Sequence, residues 1–452
     1  MPIILNAFVM NTPSHLSPGL WRHPDDSSTA YTSLDHWIDL ARLLERGRFS
    51  AMFLADTLGT YEAYAGSMAP AFRHGLHTPI NDPLLLVPAM AAATTDLAFG
   101  VTCSASYEHP FSLARRFSTL DHLTGGRIGW NIVTSALDSA ARNFGRPQQL
   151  DHEERYDRAE EYLEVCYKLW EGSWADDAVR RDKAGGLYAE PSRIRPIDHR
   201  GRYFEVAGPH LAEPSPQRTP VLYQAGASRR GRSFAARHAE CIFVGAPSRA
   251  ALRRTVDNLR TALAEAGRDP ASVPIVAEHT VITAPSAAEA EDKRADYAGY
   301  ASEDGALALM SGWIGVDLSR YRLDDPFEHV ESNAIQSAVE AMSAADPGRV
   351  WTIREIAAWC GIGGLSPVTT GAPEAVADEL EDWIASTGID GFNLSYAVMD
   401  GGFRDFVELV VPVLEKSGRH PARYPPGTFR EKLFGAGPRL PGSHPAAAFR
   451  FP

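Results

Sequence analysis

Cysteine is scarce in this sequence of 452 residues, with Cys103, Cys166, Cys241 and Cys360 its only four. They lie far apart and form no CxxC pair, which argues against a disulfide framework or a cysteine zinc site and fits a reducing, cytoplasmic setting. Long apolar runs are missing too. No stretch of 18 apolar residues occurs, so no membrane-spanning helix is expected. The opening MPIILNAFVMNTP is apolar but lacks a basic flank, so it reads as a strand and not as a signal peptide. Positive charge is in deficit: 44 Lys and Arg stand against 57 Asp and Glu, a formal charge of −13, which argues against nucleic acid or an anionic membrane as partner. There is no HExxH, no GxSxG, no P-loop and no GxGxxG after a strand. His74 and His77 form a loop pair without a matched third ligand, so no metal site is expected.

What is present is an ordinary globular composition, 44% apolar and 22% charged. Length alone would allow three domains, but α/β barrels often exceed 200 residues as one. Short apolar runs alternate with helical patterns. Strands are expected at Ile3–Val9, Phe49–Leu54, Leu97–Ser104, Ile128–Val133, Pro220–Ala225, Cys241–Val244, Pro274–Thr283 and Ile389–Tyr396. Between the first two, Leu34, Trp37, Ile38 and Ala41 recur at helical spacing up to Gly47, and a further helix is expected over Pro83–Thr95. Eight strand–helix units predict a closed parallel barrel over residues 1–418, with insertions at 172–219 and 286–372, the second a candidate lid. Residues 419–452, rich in Pro, Gly and Arg, are expected to form an extended arm.

Several residues stand where chemistry would need them. Asp151 and Glu154 form a D-x-x-E capping box, and His152 and Tyr156 share one face of the helix it opens. A helix N-terminus attracts anions, so an imidazole and a phenol beside it are plausible phosphate ligands. The plainer reading is a core Tyr156 and a surface His152. The turn Gln224 to Ser228 also leads a strand into a helix, where Gly226 lets the backbone approach closely and Ser228 offers a hydroxyl. Asp56 and Thr102 end strands, and Asp56 could be a base, a metal ligand or a cap. Phe8, Tyr107 and Trp313 could line an aromatic pocket, although aromatics are more often core. His15 lies in the first strand's loop, where an exposed loop histidine is the plainer reading.

The stretch LDHLTGGRIGWNIVTS (120–135) ends a helix at Gly125 and Gly126, then runs as a buried strand into Asn131, Thr134 and Ser135. This string resembles the flavin-dependent monooxygenases of the bacterial luciferase-like superfamily. Within them it is similar to the branch of nitrilotriacetate monooxygenase, dibenzothiophene-sulfone monooxygenase and pristinamycin synthase. LERGRFSAMFLAD (44–56), ARNFGRPQQLDHEERYDRAEEYLEVCYKLW (141–170), GRYFEVAGPH (201–210), SPQRTPVLYQAGASRRGR (215–232), GFNLSY (391–396) and DFVELVVPVL (405–414) carry the same resemblance over most of the chain.

The resemblance implies a (β/α)8 TIM barrel acting as the oxygenase component of a two-component system. Reduced FMN (FMNH2) would come by diffusion from a separate NAD(P)H:FMN reductase, and O2 would react with it to a C4a-(hydro)peroxide that oxidises a small organic substrate, aromatic or heteroatom-bearing. It implies that His152, Tyr156 and Ser228, with Gly226, hold the flavin phosphate. Asp56 would meet the polar edge of the isoalloxazine, with Thr102 and Asn131 on the ring. It sets His15 near flavin and substrate as a candidate proton donor, and it implies a homodimer or homotetramer. Two departures stand out: Thr57 follows Asp56 where relatives carry a small residue, and Trp313 stands where the sulfone enzymes have a histidine. The rival readings are an F420-dependent oxidoreductase of the same superfamily, a non-catalytic flavin-binding protein and a metal-dependent barrel hydrolase.

Overall fold

The computed structural model describes residues 2–226, 228–327 and 350–452. Eight parallel strands form its centre: β1 Ile4–Met10, β2 Ala51–Ala55, β3 Ala98–Ser104, β4 Ile128–Val133, β5 Val221–Gln224, β6 Cys241–Val244, β7 Ile275–Thr283 and β8 Gly391–Ser395. Each pairs with the next, and β8 pairs with β1 as well as β7, so the sheet closes into a (β/α)8 barrel. All eight expected strands are present, with ends shifted by at most two residues. The helix expected over Pro83–Thr95 is instead a tight turn, Pro83–Leu85, and a short helix, Val87–Ala92. Asp82 caps that turn by accepting from the Leu84 N–H at 2.9 Å, and Pro88 fits the first turn of the helix that follows. A ninth strand, Val368–Gly371, pairs with the outer end of β7.

Alternation along the strands sorts the side chains. On β4, Trp130 points outward among Phe117, Tyr162 and Trp170, and its indole N–H donates to the Cys103 carbonyl at 2.9 Å. Gly129 faces inward, where a Cβ would come within 3.2 Å of the Tyr223 ring. Phe8, Phe53, Tyr223, Val276 and Phe429 fill the barrel below its open end.

The insertion after β4 carries two small ribbons, Val179–Asp182 with Leu187–Ala189 and His199–Arg200 with Glu205–Val206. The insertion after β7 carries the helices Ala287–Tyr300, Glu303–Ile314 and Ile353–Cys360. The lid expected there falls partly on residues 328–349, which lie outside the described residues.

Residues 419–452 run back over the barrel's N-terminal end. Thr428 and Glu431 form a capping box for the helix Phe429–Phe434, and the Phe429 N–H donates to the Gly126 carbonyl at 2.7 Å. Gly126 has φ +85°, and a Cβ there would meet Thr428 at 2.5 Å, so glycine serves both the turn and the contact. Arg430 is fully buried and donates to Glu240 at 2.7 and 2.8 Å and to the carbonyls of Thr219 and Pro220 at 2.9 and 3.1 Å. Glu240 in turn accepts from the Leu222 N–H at 3.0 Å. Removing one partner of such a pair strands a buried charge. Arg430→Met is therefore expected to lose about 3–5 kcal/mol in denaturant unfolding, and the double variant Arg430→Met/Glu240→Gln to recover much of that loss.

Candidate active site

The carboxyl ends of the strands open into a cavity of about 820 Å³. Phe8 and Met10 of β1, Ala55 and Asp56 at the end of β2, Ile132 to Leu137 at and beyond the end of β4, Gln224 to Gly226 at β5 and Glu278 of β7 form its wall. Loop and insertion residues His15, Tyr61, His77, Gly312 and Trp313 complete it.

Two helix N-termini converge at one end. The helix His152–Tyr167 begins after Asp151, which stands at the cap but makes no side-chain cap bond. The capping box expected from Asp151 and Glu154 is thus not formed: Asp151 is exposed, and the half-buried Glu154 lies 3.9 Å from Arg202. The N–H groups of this first turn are left without a side-chain cap. The second helix, Arg229–His238, is capped by Ser228, whose hydroxyl accepts from the Gly231 N–H at 3.0 Å and lies 3.1 Å from His152 Nε2. The Tyr156 hydroxyl meets Ser228 and Gln224. A Cβ at Gly231 would come within 2.7 Å of that hydroxyl, and one at Gly226 within 2.7 Å of the Gln224 amide. Both positions need glycine for the two turns to approach. Arg155 adds the cavity's only Lys or Arg among the described residues. One end of its guanidinium donates to the Ser135 carbonyl, while its Nε is buried without a partner. His152, Tyr156, Gly226 and Ser228 are therefore brought together, with Arg155 as a neighbour the sequence reasoning missed.

Thr102 and Asn131 sit at matching positions of β3 and β4 and are bonded to each other, Nδ2 to Oγ1 at 2.9 Å. Both are buried inside the barrel, one step below the wall residues Ile132 and Val133, and Asn131 Oδ1 has no partner. Asp56 lies on the wall. Burial, then the charge of Asp82, pushes its carboxyl up to about 7 against the bond from its Thr57 neighbour.

The opposite face is largely apolar. His15, read most plainly as an exposed loop residue, is buried at 3% exposure against the Phe8 ring, with centroids 4.6 Å apart. Burial and the nearby His77 hold its imidazole well below the ordinary range, so it is neutral at pH 7. Trp313 is on the wall with a fixed role. Its indole N–H donates to the Tyr61 hydroxyl at 3.0 Å, and that hydroxyl lies 3.1 Å from His77 Nδ1. His77 Nε2 is 2.8 Å from the His15 carbonyl, which can only accept. Nε2 must therefore carry the proton, Nδ1 accepts, and Tyr61 is the donor to it. Gly312 makes room for this chain, since a Cβ there would lie 2.1 Å from the Tyr61 ring. Tyr107, expected in the aromatic pocket with Phe8 and Trp313, instead lines an adjoining cleft of about 370 Å³. Its ring stacks on Phe144 at 4.5 Å and its hydroxyl accepts from Gln149 at 2.6 Å, which holds it away from the cavity. No group of three or more His, Cys, Asp or Glu placed to hold a metal ion occurs among the described residues.

Residues 17–391 match the luciferase-like monooxygenase family. The chain belongs to that family. It is 47% identical over 449 residues to the dimethyl-sulfide monooxygenase of Hyphomicrobium sulfonivorans, covering 99% of this chain and 94% of that one. It is 49% identical over 449 residues to the long-chain alkane monooxygenase of Geobacillus thermodenitrificans strain NG80-2, covering 99% and 98%. The crystal structure of DmoA from Hyphomicrobium sulfonivorans superposes with a TM-score of 0.95 at 46% identity, over 100% of this chain and 96% of that one. Similarity extends to the dibenzothiophene-sulfone, nitrilotriacetate and pristinamycin enzymes, the branch expected from the strings above. The monooxygenase thus has a neutral aromatic face and a polar cradle at the two ends of one cavity.

The raised Asp56 carboxyl has a consequence for the ligand-free protein. A carboxyl titrating near 7 when folded and near 4 when unfolded takes up a proton on folding between those values, so stability falls as pH rises through that window. Asp56→Asn is expected to raise the melting temperature above pH 7, by up to about 4 kcal/mol of stability, and to leave it unchanged below pH 4. Thermal unfolding across pH checks this.

Proposed function

We propose that the protein is the oxygenase component of a two-component monooxygenase, using FMNH2 from a separate NAD(P)H:FMN reductase and O2 to oxidise a small neutral organic molecule. The observation that carries the reading is the convergence of His152, Tyr156 and Ser228 on two helix N-termini at one end of an 820 Å³ cavity. An uncapped first turn, a serine hydroxyl, an imidazole, a phenol and the spare Nε of Arg155 are together a donor set suited to a phosphate.

The residues further along fit the rest of a flavin. Asn131 Oδ1 and Gln224 Oε1 are buried acceptors without partners, and Asp56 offers a carboxyl able to give up its proton near neutral pH to accept from a ring N–H. Thr102 orients Asn131 through their shared bond. When bound, FMNH2 supplies the electrons that divide O2 between substrate and water. The chain's own contribution is to anchor the phosphate, present acceptors to the ring edge, and keep water from the reacting face with Phe8, Leu16, Tyr61 and Trp313.

The charge distribution speaks to the substrate. Arg155 is the only described lining residue with a permanent positive charge, and it belongs to the cradle. His15 and His77 are neutral, with His77 pushed down to about 4 by burial. A polyanionic substrate would enter this cavity without a partner, whereas an uncharged sulfide, alkane or aromatic needs none. The reductase meets the oxygenase only through diffusing FMNH2, and the oxygenase acts in the cytoplasm as a homodimer or homotetramer.

The double variant His152→Ala/Tyr156→Phe is expected to weaken FMNH2 binding by about 1–3 kcal/mol, the scale of hydrogen bonds to a charged group, in anaerobic fluorescence titration. Riboflavin, which lacks the phosphate, should bind both proteins equally. An equal loss for both ligands would remove these residues from a phosphate site.

A further inference from the structure

Glu278 is a carboxyl in the cavity wall whose place on the strand hides it. In the run VAEHTVIT it alternates with outward residues and looks like one polar position among several. The closed barrel turns it inward, in phase with Val276, which packs in the interior, and with Thr280, whose hydroxyl meets Ser395 at 2.5 Å. It lines the cavity on a different wall from the His152–Tyr156–Ser228 cradle, and its neighbour across β8 is Asn393. Just past the end of β6 the facing residue is Gly245, where a Cβ would stand 3.5 Å from Glu278 Oε2. The Ser366 hydroxyl is its hydrogen-bond partner.

Among the described residues no charged group bears on its titration. Burial pushes the carboxyl up to about 7, and the Ser366 bond opposes that only in part. Of the other titratable residues in the cavity wall, burial holds His15 and His77 down and the Tyr61 phenol up, so these three do not exchange protons at neutral pH. Asp56 titrates in the same range but lies across the barrel, just after β2 and beside Asp82.

We propose that Glu278 is a catalytic acid of the oxygenation reaction, giving its carboxyl proton to the oxygen atom that leaves and recovering it from solvent. The inference rests on the proposed monooxygenase reading. With reduced flavin as its monoanion, turnover converts FMNH⁻, O2, substrate and one proton to FMN, oxygenated substrate and water. Without substrate, FMNH⁻, O2 and one proton give FMN and hydrogen peroxide. Each route takes up one proton, and Glu278 is placed to deliver it.

The test uses the full chain and Glu278→Gln, which keeps the shape and a neutral partner for Ser366. Infrared spectra of the ligand-free proteins, taken in an Asp56→Asn background to remove the other carboxyl that titrates near 7, should show a carboxylic acid band that titrates near pH 7 when Glu278 is present and is absent with Glu278→Gln. In stopped flow, enzyme loaded with FMNH2 and mixed with O2 without substrate should reoxidise at least tenfold more slowly in Glu278→Gln, with FMNH2 affinity unchanged within twofold. The wild-type rate should fall above pH 7, Glu278→Asp should keep that limb, and Glu278→Gln should lose it. A Glu278→Gln variant with wild-type rate and pH profile, or with the infrared band still present in the Asp56→Asn background, overturns the assignment. Failure of the wild type to bind FMNH2 would instead defeat the proposed function itself.

Discussion

Barrel closure is the constraint on which everything else depends. β8 must pair with β1 on one side and β7 on the other, and it does so at Gly391, where a Cβ would fall 2.0 Å from the Ile4 carbonyl. Only a residue without a side chain lets the strands approach there. Once the ring closes, eight parallel strands must end on the same rim, and residues separated by hundreds of positions share one cavity. The tail secures the other end with Arg430 and Glu240, so the open rim is the end left for chemistry.

Within that rim the described residues carry little charge. Two histidines are buried in neutral form, two carboxyls are poised between their states, and the one permanent cation among the described lining residues sits in the cradle. A low-dielectric space with few fixed charges suits chemistry in which water must be excluded, because each stray charge would carry hydration with it. The Trp313–Tyr61–His77 chain serves the same end, satisfying three polar groups with one another and ending on a backbone carbonyl.

Much of this could be read from the sequence, for identifiable reasons. The strands were legible because each is a short apolar run bounded by helical periodicity. The cradle was legible because His152 and Tyr156 are four residues apart on one helix and the Gln224–Ser228 turn is local. What escaped was non-local. Tyr61, His77 and Trp313 meet only because two loops and an insertion helix converge on one wall. Glu278 escaped because strand alternation shows that a residue faces inward only once the sheet is known to close. Tyr107 was misplaced because its stacking on Phe144 is not encoded in spacing. Asp151 shows the limit of a motif: the letters of a capping box were present, but its side chain makes no cap bond and Glu154 lies beside Arg202 instead.

The most direct measurement is an anaerobic titration of the purified protein with FMN, FMNH2 and reduced F420, followed by admission of O2 with absorbance recorded. FMNH2 is expected to bind more tightly than FMN, F420 not to compete, and flavin oxidation through O2 to follow. Preferential binding of F420 with no reaction on adding O2 would keep the barrel and the cradle but contradict the oxygenase reading.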